Sequence, residues 1–118
     1  MGIFGKKDIT NSYEEAQNEL NSTSNEKASE RIAFGEIDGN NDHTVAYVEQ
    51  MRNGHPLVIN FDRVEIAEAN KALWFISGAT YAFGGRVVKI DEKIYMFGKA
   101  EDFLDGTLFQ WIEDLKNN

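Results

Sequence analysis

The run from Pro56 to Phe97 leaves a chain few ways to fold. It opens Pro56-Leu57-Val58-Ile59-Asn60-Phe61, an apolar stretch broken by one amide, as in a strand covered on both faces. A helical segment beginning near Glu65 follows with little spacer, and Gly84-Gly85 ends it. Ile66, Ala69, Leu73, Ile76 and Thr80 fall on one stripe of that helix. Trp74, Phe75, Gly78, Tyr81 and Ala82 add a second apolar face. One stripe can cover a sheet; the other wants a further partner, such as a second subunit. Gly78 in mid-helix costs about 1 kcal/mol against Ala, and its bare backbone lets another chain approach closely. The stretch Arg86 to Phe97 then reads as a hairpin, with Ile90 and Ile94 paired across the loop Asp91-Glu92-Lys93 and Val88 opposite Met96. Alternation sets Lys89 against Tyr95 on the reverse face, beside Val87 and Phe97. That face is too apolar for bare solvent and too polar for a deep core.

The flanks complete the plan. Residues 8–30 are rich in Asn, Ser and Glu and hold too little apolar surface to offset the entropy of ordering, so residues 1–30 read as a flexible tail. From Arg31 the chain alternates polar and apolar through Ile37, the pattern of a half-buried strand. Asp38 to Asp42 is a dense turn able to cap a helix over about Thr44 to Arg52, with Val45, Val48 and Met51 on its stripe and Asn53-Gly54 as its stop. Phe103, Leu104, Leu108, Trp111, Ile112 and Leu115 recur at helical spacing near the end. The expected domain, residues 31–118, is thus α/β (α+β): a mixed four-stranded sheet in the order β-α-β-α-β-β-α, layered with helices in two or three layers and stabilised as a dimer.

Chemistry is poorly represented. His43 and His55 have no Cys or His at metal-ligand spacing, and both read as surface residues rather than ligands. Ser77-Gly78 lacks a nucleophile elbow, and Gly84-Gly85 lacks the context of a phosphate loop. With 20 acidic residues, no one carboxylate pair stands out. No catalytic residue, metal or cofactor is expected. The net charge of −8 argues against nucleic acid, which demands clustered Lys and Arg. The absence of cysteine suits a reducing cytoplasm, and no apolar run approaches the roughly 20 residues of a membrane span. Only Met1 to Lys7, with Ile3, Phe4, Lys6 and Lys7, could touch lipid. Two inserted apolar side chains contribute about 3–5 kcal/mol and two lysines about 1 kcal/mol each, a reversible contact that an oligomer would multiply.

The central run resembles the SepF family of cell-division proteins. There a strand of the form Pro-Val-(Val/Ile)-(Val/Ile)-Asn precedes a helix ending Asp-Phe-Leu-Ser-Gly-(Ala/Thr)-Val-Tyr-Ala-Leu-x-Gly and a hairpin Ile-x-Lys-Ile-x-x-Lys-Ile-Phe-Leu. Pro56, Val58, Ile59 and Asn60 match the first, Phe75, Ser77, Gly78, Tyr81, Ala82 and Gly85 the second, and Lys89, Ile90, Lys93 and Ile94 the third. Trp74 stands where the family usually has Asp, and Gly98-Lys99 replaces the usual Thr-Pro. The resemblance implies a non-enzymatic adaptor at the division site, on the inner face of the cell membrane. It implies that the dimer holds the carboxy-terminal tail of FtsZ near Lys89, Tyr95, Val87 and Phe97, and that the amino-terminal tip docks on lipid. Trp74, Gly78 and Tyr81 then become the expected self-association surface. The departures motivate an alternative, a structural or regulatory paralogue that dimerises without binding FtsZ.

Overall fold

The computed structural model describes residues 26–117. Four strands, β1 (Ala33–Glu36), β2 (Leu57–Asn60), β3 (Arg86–Asp91) and β4 (Ile94–Gly98), form one mixed sheet in the spatial order β1-β2-β4-β3. Helix α1 (Asn41–Arg52) carries the chain from β1 to its parallel neighbour β2. Helix α2 (Ile66–Ala82) leads on to β3, and the hairpin inserts β4 antiparallel to both β2 and β3. Two 3₁₀ turns, Ala28–Arg31 and Ala100–Phe103, and helix α3 (Thr107–Lys116) complete the order β-α-β-α-β-β-α anticipated from the sequence.

Each helix starts where local chemistry permits it. The Asn40 side chain accepts from the Asp42 N–H at 2.9 Å and caps α1. In β2 the Asn60 side chain accepts from the Asp62 N–H at 2.8 Å, closing the turn that feeds α2.

The sheet is covered on both sides, which gives three layers. Under α1 and α2 lie Ile37, Met51, Leu57, Ile59, Phe61, Ala72, Ile76 and Phe97. Under α3 and the opening turn lie Ala28, Val58, Met96, Phe103, Leu108 and Ile112. Successive β2 residues therefore alternate between two cores, which explains its unbroken apolar run. Each fully buried Leu, Ile or Phe contributes about 1.5–3 kcal/mol.

Three details depart from the sequence pattern. Asp91 rather than Ile90 pairs with Ile94, and the extra residue is absorbed as a bulge between Lys89 and Asp91. Ile66 begins the α2 stripe but is exposed, at the cleft between the helix and the hairpin. The expected boundary at residue 31 falls inside a packed turn, with Ala28 only 1% exposed against α3.

That turn is clasped from the far end of the chain. The Asp105 carboxylate accepts from the Ala28 N–H at 3.0 Å, and the Thr107 hydroxyl accepts from the Ser29 N–H at 3.1 Å. Arg31 donates to Asp102 at 2.7 Å through Nη2 and to the Gly54 carbonyl at 2.9 Å through Nε. Burial pushes the Asp102 carboxyl above its ordinary value despite the guanidinium beside it. Asp105 moves the other way, held low by the backbone N–H groups of Ala28 and Thr107.

The β1 edge has its own guard. Ala33 donates to the Pro56 carbonyl at 2.7 Å and Ile37 to the Asn60 carbonyl at 3.0 Å, so alternation turns the backbone groups of Phe34 and Glu36 outward. The Tyr47 hydroxyl accepts from the Glu36 N–H and donates to the Glu36 carbonyl, both at 3.1 Å. Its ring lies across Gly35, where a Cβ would collide with it. Glycine at 35 is what lets a tyrosine cover the Glu36 end of this edge.

Candidate partner-binding surface

Helix α2 positions most of the exposed apolar surface. Its inward face, Ala72, Ile76 and Thr80, is buried, and the Thr80 hydroxyl donates to the Ile76 carbonyl at 2.7 Å. Opposite lie Trp74, 77% exposed, and Tyr81, 67% exposed. Gly78 sits between them at helical spacing, with no heavy atom within 4 Å of the Cβ it lacks. Two aromatic rings flanking bare backbone form a surface that another helix could approach closely.

On one flank of α2, between its first turns and the hairpin, lies a cleft of about 150 Å³. Phe61, Val64, Ala69, Leu73 and Tyr95 line it, with Lys93 and Glu92 at the lip. Tyr95 is half-buried and meets Phe61 edge-on, ring centroids 5.6 Å apart. On the other flank a groove of about 310 Å³ separates α2 from α1, floored by Ile37, Thr44 and Ala72 and walled by Val45 and Phe75. Sequence reasoning missed this groove, since Val45 reads as part of a buried stripe yet stands exposed on the rim.

The four hairpin residues share a face, as their alternation requires: Val87 opposes Phe97 and Lys89 opposes Tyr95. That face is the one beneath α2, and its depth varies along the strand. Phe97 is 0% exposed and belongs to the core, so it cannot contact a partner as a surface residue. Val87 and Tyr95 are half-buried at the core margin, while the Lys89 side chain is 53% exposed. Lys89 approaches Glu92 at 3.9 Å, an exposed pair of small energetic weight that leaves the cation available. The open part of the expected site is therefore Lys89 with the rims of Val87 and Tyr95, and the Phe61/Leu73 cleft adds to it. Ile3, Phe4, Lys6 and Lys7 lie outside the described residues.

The described histidines are occupied locally. His43 Nδ1 lies 2.6 Å from Asp38, and His55 Nδ1 lies 3.0 Å from the Arg31 carbonyl. Among the described residues no helix is long and apolar enough to cross a membrane. These surfaces offer apolar clefts, two aromatic rings and a mobile-stemmed cation, which suit binding.

The family model described as cell division protein SepF matches residues 36–98, from the end of β1 through β4. Cell division protein SepF of Carboxydothermus hydrogenoformans is 30% identical over 76 residues, covering 58% of this chain and 56% of that protein. Its namesake in Desulfitobacterium hafniense is 39% identical over 49 residues, covering 42% and 32% respectively. That of Lactobacillus helveticus is 31% identical over 70 residues, covering 59% and 48%. The chain thus spans between about a third and just over half the length of these relatives.

Proposed function

This chain belongs to the SepF family of cell division proteins, and on that footing we propose that it is a non-enzymatic adaptor of the division machinery. In this reading the folded domain binds the carboxy-terminal tail of FtsZ, pairs with further copies of itself, and helps tether the FtsZ ring to the inner face of the cell membrane. The observation that carries it is the adjacency of two open features on one side of the domain. Asn70 and Leu73 line the Tyr95 cleft and neighbour Trp74 of the exposed stripe on α2, Lys89 opposes Tyr95 across the hairpin, and the family match encloses them all.

A short peptide with apolar and acidic residues fits there. Apolar side chains enter the cleft beside Phe61, Leu73 and Tyr95, and Lys89 orients a carboxylate. A second copy seated on the α2 stripe would wall the same cleft from the other side, so dimerisation and tail binding reinforce each other. Weak contacts to tail and lipid then sum by avidity over an oligomer.

Titration of an FtsZ tail peptide against wild type and Lys89→Glu tests this reading. Charge reversal at an exposed contact should weaken binding by about 10- to 100-fold, and unchanged affinity removes Lys89 from the site. The paralogue reading, dimerisation without FtsZ binding, rests on Trp74, whose large exposed ring stands where the family usually carries a carboxylate. Co-sedimentation with FtsZ filaments separates the two, because only the adaptor pellets. Liposome flotation of the full chain against one lacking Met1 to Lys7 tests the lipid contact.

A further inference from the structure

The sheet has two edges, and the hydrogen-bond parity shows that they are not equivalent. At β1, Tyr47 occupies the outward groups of Glu36, so among the described residues only the single pair on Phe34 stays open, too few for a ladder. At β3 the pattern runs on from the other side. The bonds to β1 turn Val58 and Asn60 toward that strand, so Leu57 and Ile59 bond across to Phe97 and Tyr95 of β4. Met96 and Gly98 then face β3, where they pair with Val88 and Arg86. The N–H and C=O groups of Val87 and Lys89 consequently point away from the sheet. Among the described residues no hydrogen bond reaches any of these four groups. They repeat at the two-residue spacing of a ladder, about 6.8 Å, and so form a template for one more strand.

We propose that β3 takes up an extended acidic peptide as a fifth strand. Charge selects this occupant over a second copy. Lys89 projects beside Val87 on the α2 face, and Arg86 projects on the other face, its guanidinium 6.0 Å from the centre of the Phe103 ring. Two β3 strands paired antiparallel about Val88 would set Lys89 of each copy against Val87 of the other and Arg86 against Ile90, so neither cation would meet a carboxylate. A peptide with a carboxylate facing Lys89, and an apolar residue two positions away facing Val87, meets both strand and side chains with the right sign. The inference rests on the adaptor reading above and gives its tail peptide a backbone mode of recognition: main-chain bonds supply affinity and alternate side chains supply specificity.

The experiment is a backbone N-methyl scan of an FtsZ tail peptide, titrated against the full chain, with amide hydrogen exchange measured with and without the unmodified peptide. Methylation at every second position should weaken binding by about tenfold or more, with the intervening positions little changed. The Val87 and Lys89 amides should gain exchange protection. If the unmodified peptide binds and Lys89→Glu weakens it, yet the methyl scan is flat and neither amide is protected, strand addition is wrong and the adaptor reading survives. If the unmodified peptide does not bind at all, the adaptor reading fails and this inference fails with it.

Discussion

Replacing Trp74 with Ala is the sharpest probe of the α2 stripe, because the ring is outside the fold of a single subunit. The side chain is 77% exposed, so about 170 Å² of its surface awaits cover, worth about 4 kcal/mol per copy if wholly buried. A symmetric pair counts that surface twice. Incomplete cover and the cost of ordering reduce it to about 2–4 kcal/mol, the usual scale for truncating a central aromatic at an interface. The dissociation constant of the self-associated form should therefore rise about 30- to 1000-fold. Stability of the isolated subunit should change by no more than about 0.5 kcal/mol, since nothing in the subunit rests on the ring. Sedimentation over a wide concentration range reads the first quantity, and thermal unfolding of dilute protein reads the second. Association that is identical in wild type and Trp74→Ala, or wild type that stays monomeric at high concentration, would refute the assignment of this stripe to a second copy.

Two further outcomes follow from the rest of the fold. Gly35→Ala should displace the Tyr47 ring and break both of its bonds to Glu36, costing about 1–3 kcal/mol by urea unfolding; a neutral result would mean that the ring has somewhere else to go. Asp105 is held below its ordinary value by hydrogen bonds from Ala28 and Thr107, so its contribution is complete above about pH 4 and is lost as pH falls through its lowered folded value. Asp102, raised by burial, works with the opposite sign, its charge penalising the fold as pH rises through its own value. The stability gap between wild type and Asp105→Asn, measured from urea midpoints, should be widest near neutrality and close below about pH 4; a gap that stays constant would remove Asp105 from the acid response.

The order of elements was readable because each carries its own period. The unbroken run of β2 announces two covered faces, and Ile76 and Thr80 mark the inward side of α2. The place of Phe97 was not readable. A period of two says that Phe97 shares a face with Lys89, but it cannot say that α2 covers one end of that face and leaves the other open. Two relations invisible to periodicity also escaped. The seal of Tyr47 over Gly35 joins residues on different elements with no shared pattern. The clasp of Ala28 and Ser29 depends on Asp105 and Thr107, far along the chain, and composition alone assigns the opening turn to a tail. Of the candidate surface, the aromatic stripe was legible as surplus apolar residues, whereas the clefts beside α2 emerge only when helices and hairpin are set side by side.

The clasp also decides how the domain would bear load. A pull on the chain ahead of Glu26 reaches Arg31 before it reaches β1, and Arg31 is bolted to Asp102 and to the Gly54 carbonyl. Together with the bonds of Ala28 and Ser29, these anchors tie the opening turn to the α3 side and to the turn between α1 and β2, so tension meets them before it can peel the first strand from its neighbour. The exposed stripe of α2 lies across the sheet, outside that line of force. A subunit pulled from its amino-terminal side would thus keep the shape of its α2 face.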